Sequence, residues 1–244
     1  MGEYYCFQLL VTGSFDNPAG FAACLCAGLP FVVFLIIHRN KCIRYAGWIA
    51  GGVMVLAIFL SHSRSGMVSV IVVCVMYLCG RFVHGRLWRY SLSVSMIGLL
   101  IIGSYWLKKD SADGRLLIWR CGLEMVKDAP STGHGVGSFE AKYMDYQADY
   151  FKEYGSQSRY AMLADNVKQP FNEYLGVLIN FGIVGLALLL GIVGALVYCY
   201  RQNPTQEKKI ALYILLSIGI FSFFSYPFTY PFTWMVTFLA VLML

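Results

Sequence analysis

Two arginines stand at the edges of apolar segments, where a fixed positive charge suits the binding of a phosphate group. Arg64 lies in Ser61–Gly66 (SHSRSG), and Arg115 lies four residues before Trp119, a spacing that brings two side chains to one face of a helix. A guanidinium presents a planar pair of N–H donors that matches a phosphate. Two structural interpretations stay open: Arg64 could reach the lipid headgroups, and Arg115 could be solvated beside an interfacial tryptophan.

Two other side chains could move a proton. Glu173 follows Asn172 at the start of a long apolar segment. Its carboxylate could accept a proton from a hydroxyl or could stabilise the first turn of a helix, and Asn172 would offer a polar contact to a substrate. His134 lies in Gly133–Phe139 (GHGVGSF) and could be catalytic or merely exposed. A nucleotide-binding loop is not expected there, since neither a preceding strand nor a Walker lysine accompanies the glycines.

The cysteines give no sign of a metal site. None of the eight forms a CxxC pair or a spacing with histidine that suits zinc. No Asp-x-Asp motif occurs either. The sequence therefore predicts neither a metal nor a cofactor, and the cysteines are expected as small apolar residues inside helices.

The elements that position these residues follow from the hydropathy of the chain. Of its 244 residues 58% are apolar and 13% charged, with a mean hydropathy of +0.62. Such a composition excludes a soluble globule and a disordered chain. Several apolar runs are long enough to cross about 30 Å of hydrocarbon. We predict an all-α polytopic membrane protein with about seven transmembrane helices: Ala19–His38, Tyr45–Leu60, Gly66–Gly80, Tyr90–Leu107, Phe171–Tyr200, Ala211–Tyr226, and an incomplete last helix from Phe232.

The basic residues predict the orientation of these helices. Nine of the 19 lysines and arginines lie in three short connections, at residues 39–44, 81–89 and 201–209. The positive-inside rule places these connections in the cytoplasm. Because the basic residues sit at helix ends and do not cluster on a soluble domain, the net charge of +6 does not indicate nucleic acid as a partner.

The same alternation places a long loop, Lys108–Pro170, on the extracytoplasmic side. It divides the chain into transmembrane helices 1 to 4 (residues 1–107), the loop (108–170) and helices 5 to 7 (171–244). A loop of this length is uncommon unless it has a function. Within it we predict a helix over Gly114–Lys127, capped by Ser111 or Asp113.

Taken together, the motifs resemble the superfamily of O-antigen ligases and polymerases. The resemblance covers about residues 13–193 and depends on the order of the motifs as much as on each of them. They are Thr12–Pro18, Ser63–Gly66, Gly114–Arg115 with Trp119, Gly133–Phe139, and Phe171–Leu175 followed by Gly182–Gly185. From the residues alone, Gly182 and Gly185 would let another helix pack closely.

The resemblance implies a multi-pass enzyme of the bacterial inner membrane with a periplasmic loop. Such an enzyme transfers a glycan from an undecaprenyl-diphosphate carrier to the lipid A core or a growing polysaccharide, without a metal or cofactor. The donor, the acceptor and membrane lipids are the implied partners. Arg64 and Arg115 would hold the diphosphate, with Trp119 and Asn172 as further substrate contacts.

One position departs from the family pattern. Relatives often carry a histidine before the asparagine, and here Phe171 stands there. Glu173 and His134 remain as candidates for the catalytic base. The pattern also suggests an N-terminally incomplete member. The alternative function is a transporter or channel for a small anionic solute, although the polar residues lie at the outer edge instead of at a midplane site.

Overall fold

The computed structural model describes residues 15, 18–63, 65–71, 74–75, 109–155 and 160–244. Within these ranges the regular structure is entirely helical, as predicted, and residues 65–71 are helical too. The seven longer helices are α1 (Pro18–Ile37), α2 (Lys41–Leu60), α3 (Lys109–Asp128), α4 (Ser138–Tyr154), α5 (Glu173–Gln202), α6 (Gln206–Ser222) and α7 (Pro231–Leu242). Two short 3₁₀ helices occupy Ala161–Leu163 and Pro227–Thr229.

Three of these helices are long and apolar enough to cross a membrane: α1, α2 and α5. The shorter α7 is also apolar. The chain is therefore a helical membrane protein. The predicted helix Tyr90–Leu107 and most of Gly66–Gly80 lie outside the described residues, so the number of seven spans stays a prediction.

The helices α1, α2, α6 and α7 pack together in a bundle, with small and hydroxyl-bearing residues at its contacts. The Ser69 hydroxyl donates to the Ser217 carbonyl oxygen over 3.0 Å, and the Ser217 hydroxyl donates to the Cys26 carbonyl oxygen over 3.1 Å. These bonds join residues 65–71, α6 and α1. Hydrogen bonds between helices add to van der Waals packing where lipid supplies little hydrophobic driving force.

The loop helices α3 and α4 pack against the start of α5. Tyr146 of α4 bonds to Asp128 at the end of α3, whereas Tyr150 bonds to the earlier Arg120, so the two helices are antiparallel. Their shared core also contains Leu175 and Ile179 of α5; its loop members are Leu117, Ile118, Cys121, Met125, Phe139 and Tyr143.

The predicted loop helix is confirmed, but its predicted cap is wrong. The helix α3 begins at Lys109, so Asp113 lies inside it and is only 2% exposed. Residues 109–112 contain neither proline nor glycine, and nothing in them prevents the helix from beginning a turn earlier. Ser111 also lies within the helix.

Candidate functional site

The segment before α5 contacts the face of α3 that carries Arg115 and Trp119. The Trp119 indole N–H donates to the Pro170 carbonyl oxygen over 3.0 Å. The Arg115 guanidinium lies over the Phe171 ring, 5.4 Å from its centroid. The i, i+4 spacing predicted from the sequence thus brings both side chains to the junction that precedes Glu173.

Phe171 is held in an uncommon backbone conformation at this junction. Its φ is +52°, a region that a bulky side chain seldom adopts. Its ring contacts both the Arg115 guanidinium and the Tyr226 ring, whose centroid is 5.1 Å away in an edge-on arrangement. Phe171 is therefore at the meeting point of α3, α5 and the α6–α7 connection.

Asn172 and Glu173 divide their roles at the start of α5. The Asn172 side-chain oxygen caps the helix, accepting from the Leu175 N–H over 3.0 Å. The Glu173 carboxylate turns to another element and accepts from the Phe228 N–H over 2.9 Å. Glu173 is half-buried at this contact. Because Asn172 supplies the cap, the Glu173 carboxylate is not needed for it.

Arg64 lies outside the described residues, but both of its neighbours are described. Ser63 and Ser65 are buried, and the Ser65 hydroxyl donates to the Phe224 carbonyl oxygen over 3.3 Å. Phe224 and Phe228 both lie in the connection between α6 and α7. The Ser61–Gly66 motif and the Glu173 carboxylate therefore contact the same α6–α7 connection.

His134 occupies a different place, near the end of α3. The Met125 carbonyl oxygen lies 2.7 Å from its Nε2, and the Lys142 ammonium lies 3.1 Å from its Nδ1. A carbonyl can only accept and an ammonium can only donate, so these partners fit the neutral tautomer protonated at Nε2. In this arrangement the lone pair that a base would use is already occupied.

The loop that carries His134 replaces part of the hydrogen bonding of α5. The helix is interrupted at Gly182, which has φ +62° and ψ −161°. The carbonyl oxygens of Ile179 and Asn180 accept from the loop, and the N–H groups of Ile183 and Val184 donate to it. The bonds are His134 N to Ile179 O (2.8 Å), Gly135 N to Asn180 O (3.0 Å), Ile183 N to Pro130 O (2.8 Å) and Val184 N to Ser131 O (3.2 Å).

This pairing separates the two predicted bases. Residues 179 and 180 lie about 10 Å along the helix axis from Glu173, at 1.5 Å per residue. Asn180, which follows Glu173 on the same face, binds the Ser138 hydroxyl through its side-chain oxygen over 3.1 Å. The structure places Arg115 and Trp119 against Pro170 and Phe171, just before α5, and His134 elsewhere. The Glu173 carboxylate contacts the α6–α7 connection instead.

Sequence reasoning did not identify the α6–α7 connection as part of the site. Its backbone supplies the Phe228 N–H to Glu173, and its Tyr226 contacts Phe171. The available signal was the pair of aromatic-proline steps, Tyr226-Pro227 and Tyr230-Pro231, which predict turns.

No group of three or more potential metal ligands occurs among the described residues. The titratable groups of the loop core are shifted towards their neutral forms. Burial raises the pKa of the Cys121 thiol to about 11 and that of the Tyr143 hydroxyl to about 12. Neither group is therefore a ready nucleophile.

Comparison with known proteins identifies one family. The family described as O-antigen ligase matches residues 49–190, more than half of the chain. The match includes α3, α4 and the first part of α5, and so all the residues of the junction except the α6–α7 connection. No curated protein matches the chain.

Proposed function

Since the chain belongs to the O-antigen ligase family, we propose that it transfers a glycan from an undecaprenyl-diphosphate carrier to a hydroxyl acceptor. The acceptor is the lipid A core or the growing polysaccharide, and the reaction occurs at the periplasmic face of the bacterial inner membrane. The single observation that supports this best is the convergence at the α3–α5 junction. The Arg115 guanidinium and the Trp119 indole contact Phe171 and Pro170, just before α5, and the half-buried Glu173 carboxylate lies in the first turn of α5.

The reaction needs one proton acceptor and one site for negative charge. The acceptor oxygen forms a bond to the anomeric carbon while the bond from that carbon to the diphosphate oxygen breaks. The electron pair leaves with the undecaprenyl diphosphate, and the hydroxyl proton passes to the Glu173 carboxylate. Arg115, with Arg64 contributed by the neighbouring motif, stabilises the charge that develops on the diphosphate.

The surroundings of Glu173 suit this role. Among the described residues, its carboxylate accepts a hydrogen bond from the Phe228 N–H, and an oxygen that accepts one hydrogen bond retains further acceptor capacity. His134 lacks this capacity because Met125 and Lys142 occupy both ring nitrogens. Glu173 is therefore our choice for the base.

The interruption of α5 bears on the transporter alternative. Transporters use broken helices to turn free backbone groups towards a solute. Here the groups released at Gly182 are paired with residues 130–135 of the loop. No observation on the described residues favours transport.

The test is turnover of the Glu173→Gln variant in purified protein. The donor is an undecaprenyl-diphosphate oligosaccharide, and the product measured is free undecaprenyl diphosphate. We expect a loss of about 100-fold or more, as is typical when a general base is removed. The matched control is Glu207→Gln, which changes a first-turn carboxylate of α6 instead of α5. That control should retain the wild-type rate.

Two outcomes would contradict the proposal. If the wild-type protein consumes no lipid-linked glycan in the presence of its acceptor, the proposed reaction is not the one that this protein catalyses. If the wild type is active and Glu173→Gln is equally active, the reaction stands but Glu173 is not its base.

A further inference from the structure

Three aromatic rings cluster beside α3, at the far end of α4 from Ser138. We call Tyr150, Tyr154 and Tyr160 the tyrosine platform. The Tyr150 and Tyr154 rings are stacked, with centroids 4.7 Å apart and planes inclined by 25°. The Tyr160 ring meets Tyr150 edge-on at 6.3 Å. Tyr154 is 61% exposed, whereas Tyr150 and Tyr160 are half-buried against the loop core, so the platform is open to solvent mainly at the Tyr154 ring.

An arginine completes the cluster. The Arg120 guanidinium lies over the Tyr160 ring, 5.4 Å from its centroid. One of its N–H groups donates to the Tyr150 hydroxyl over 3.3 Å. A guanidinium has five N–H donors, so this exposed side chain keeps donors for a ligand while the rings fix its position.

We propose that the tyrosine platform and Arg120 bind the sugar chain of a glycan substrate. This inference rests on the proposed function and adds a binding site for the carbohydrate to it. Sugar rings carry C–H groups on their faces and hydroxyls on their rims. Aromatic faces are electron-rich and attract the C–H groups, while phenol hydroxyls and a guanidinium bind the rim or the carboxylate of an acidic sugar.

The location of the platform fits an extended glycan. Arg120 follows Arg115 by five residues on α3, about 8 Å along the helix axis. The 3₁₀ helix after Tyr160 lies against the start of α3, where Leu163 approaches Gly114. Five residues also turn about 140° around α3, so a glycan whose first sugar is at the α3–α5 junction reaches the platform with its later rings by passing around this helix.

A purely structural role predicts different behaviour. Tyr150 and Tyr154 are four residues apart on α4, and such a pair stabilises an exposed helix only slightly. If that were the whole role, removing the Tyr154 ring would change helix stability slightly and carbohydrate binding not at all. A measurement of binding to the lipid-free sugar chain therefore distinguishes a structural role from a role in carbohydrate binding.

The test measures binding of lipid-free polysaccharide to the full-length protein in detergent. The probe is surface polysaccharide released by mild acid from the bacterium that produces this protein. Its binding is detected by saturation-transfer NMR. We expect Tyr154→Ala to weaken binding roughly fivefold to tenfold, and Tyr154→Phe, which keeps the ring, to retain most of it. The control is Met162→Ala: this side chain is 94% exposed near the platform but is not aromatic.

Steady-state kinetics then identify which glycan is bound. If Tyr154→Ala raises KM for a long-chain donor, but leaves kcat and the KM for a single-sugar donor unchanged, the platform binds the donor. The same rise for the acceptor assigns it to the acceptor, and either result supports the proposal. If Tyr154→Ala and Arg120→Gln both bind the polysaccharide as tightly as the wild type, the platform does not bind the sugar chain. The same conclusion follows if the wild-type protein transfers glycan normally but does not bind the lipid-free polysaccharide. Either result would leave the proposed reaction intact.

Discussion

Alanine at Gly133 should detach the loop from α5. A Cβ atom added at Gly133 would lie 2.5 Å from the Asn180 carbonyl carbon and the Phe181 nitrogen, both backbone atoms of α5. Ordinary contact begins at about 3.4 Å, so the two backbones must separate by close to 1 Å. The hydrogen bonds between the loop and α5 are 2.8 to 3.2 Å long, and such a displacement breaks them.

The magnitude follows from the bonds that are lost. Four backbone hydrogen bonds at about 0.5–1.5 kcal/mol each give roughly 2–6 kcal/mol. Gly135→Ala is the matched control, because Gly135 also has a positive φ, +93°, but a Cβ there meets nothing within 4 Å. Both variants share the cost of a left-handed alanine, about 1–2 kcal/mol. The difference between them isolates the contact with α5.

Hydrogen–deuterium exchange of full-length protein in detergent measures this difference. Local opening that costs 2–6 kcal/mol less raises amide exchange by about 30-fold to 10⁴-fold. We expect Gly133→Ala to show this excess over Gly135→Ala at the amides of His134 and Gly135. Equal exchange in the two variants would mean that the loop is not held by these bonds.

Four other changes test the remaining parts of the structure. Arg115→Lys keeps the charge but loses the planar fork, so turnover should fall at normal abundance; wild-type turnover would remove Arg115 from the diphosphate site. Trp119→Phe leaves the Pro170 carbonyl without its donor and should destabilise the junction by about 1 kcal/mol, measured as a lower Tm; an unchanged Tm would contradict this. Burial raises the pKa of Tyr143 to about 12, above its ordinary value near 10, so its contribution to stability is complete below pH 10 and is lost as the pH rises through 12. The Tm of Tyr143→Phe should therefore fall less than that of the wild type between pH 9 and 11.5. In protein without native cysteines, a membrane-impermeant thiol reagent applied outside should label Met162→Cys and miss Lys208→Cys; the reverse result would invert the topology.

The spans could be predicted because hydropathy is a local property. The predicted helices Ala19–His38 and Phe171–Tyr200 correspond to α1 and α5 within two residues at each end. The prediction for α2 began four residues late, because Asn40 caps the helix and its first turn is polar. Apolar length alone does not detect a polar first turn.

The site could be predicted only in part. The face shared by Arg115 and Trp119 follows from helical spacing, but their contact with Pro170 and Phe171 is a tertiary contact between elements 51 or more residues apart. The glycine at 182 was expected to admit another helix. It is instead a left-handed break that admits a loop, and a glycine in a sequence does not reveal which neighbour it accommodates.

The break in α5 imposes an order on the assembly of the protein. A backbone N–H or carbonyl without a hydrogen-bond partner in hydrocarbon costs several kcal/mol. The helix α5 is therefore unstable in lipid while the backbone groups around Gly182 have no partner. Their partners, residues 130–135, come earlier in the chain, and they leave the ribosome about 70 residues before α5 is complete. The loop is thus available as a template when α5 is inserted, and a chain in which the loop cannot bind α5 should retain α5 in an unfinished, protease-sensitive state.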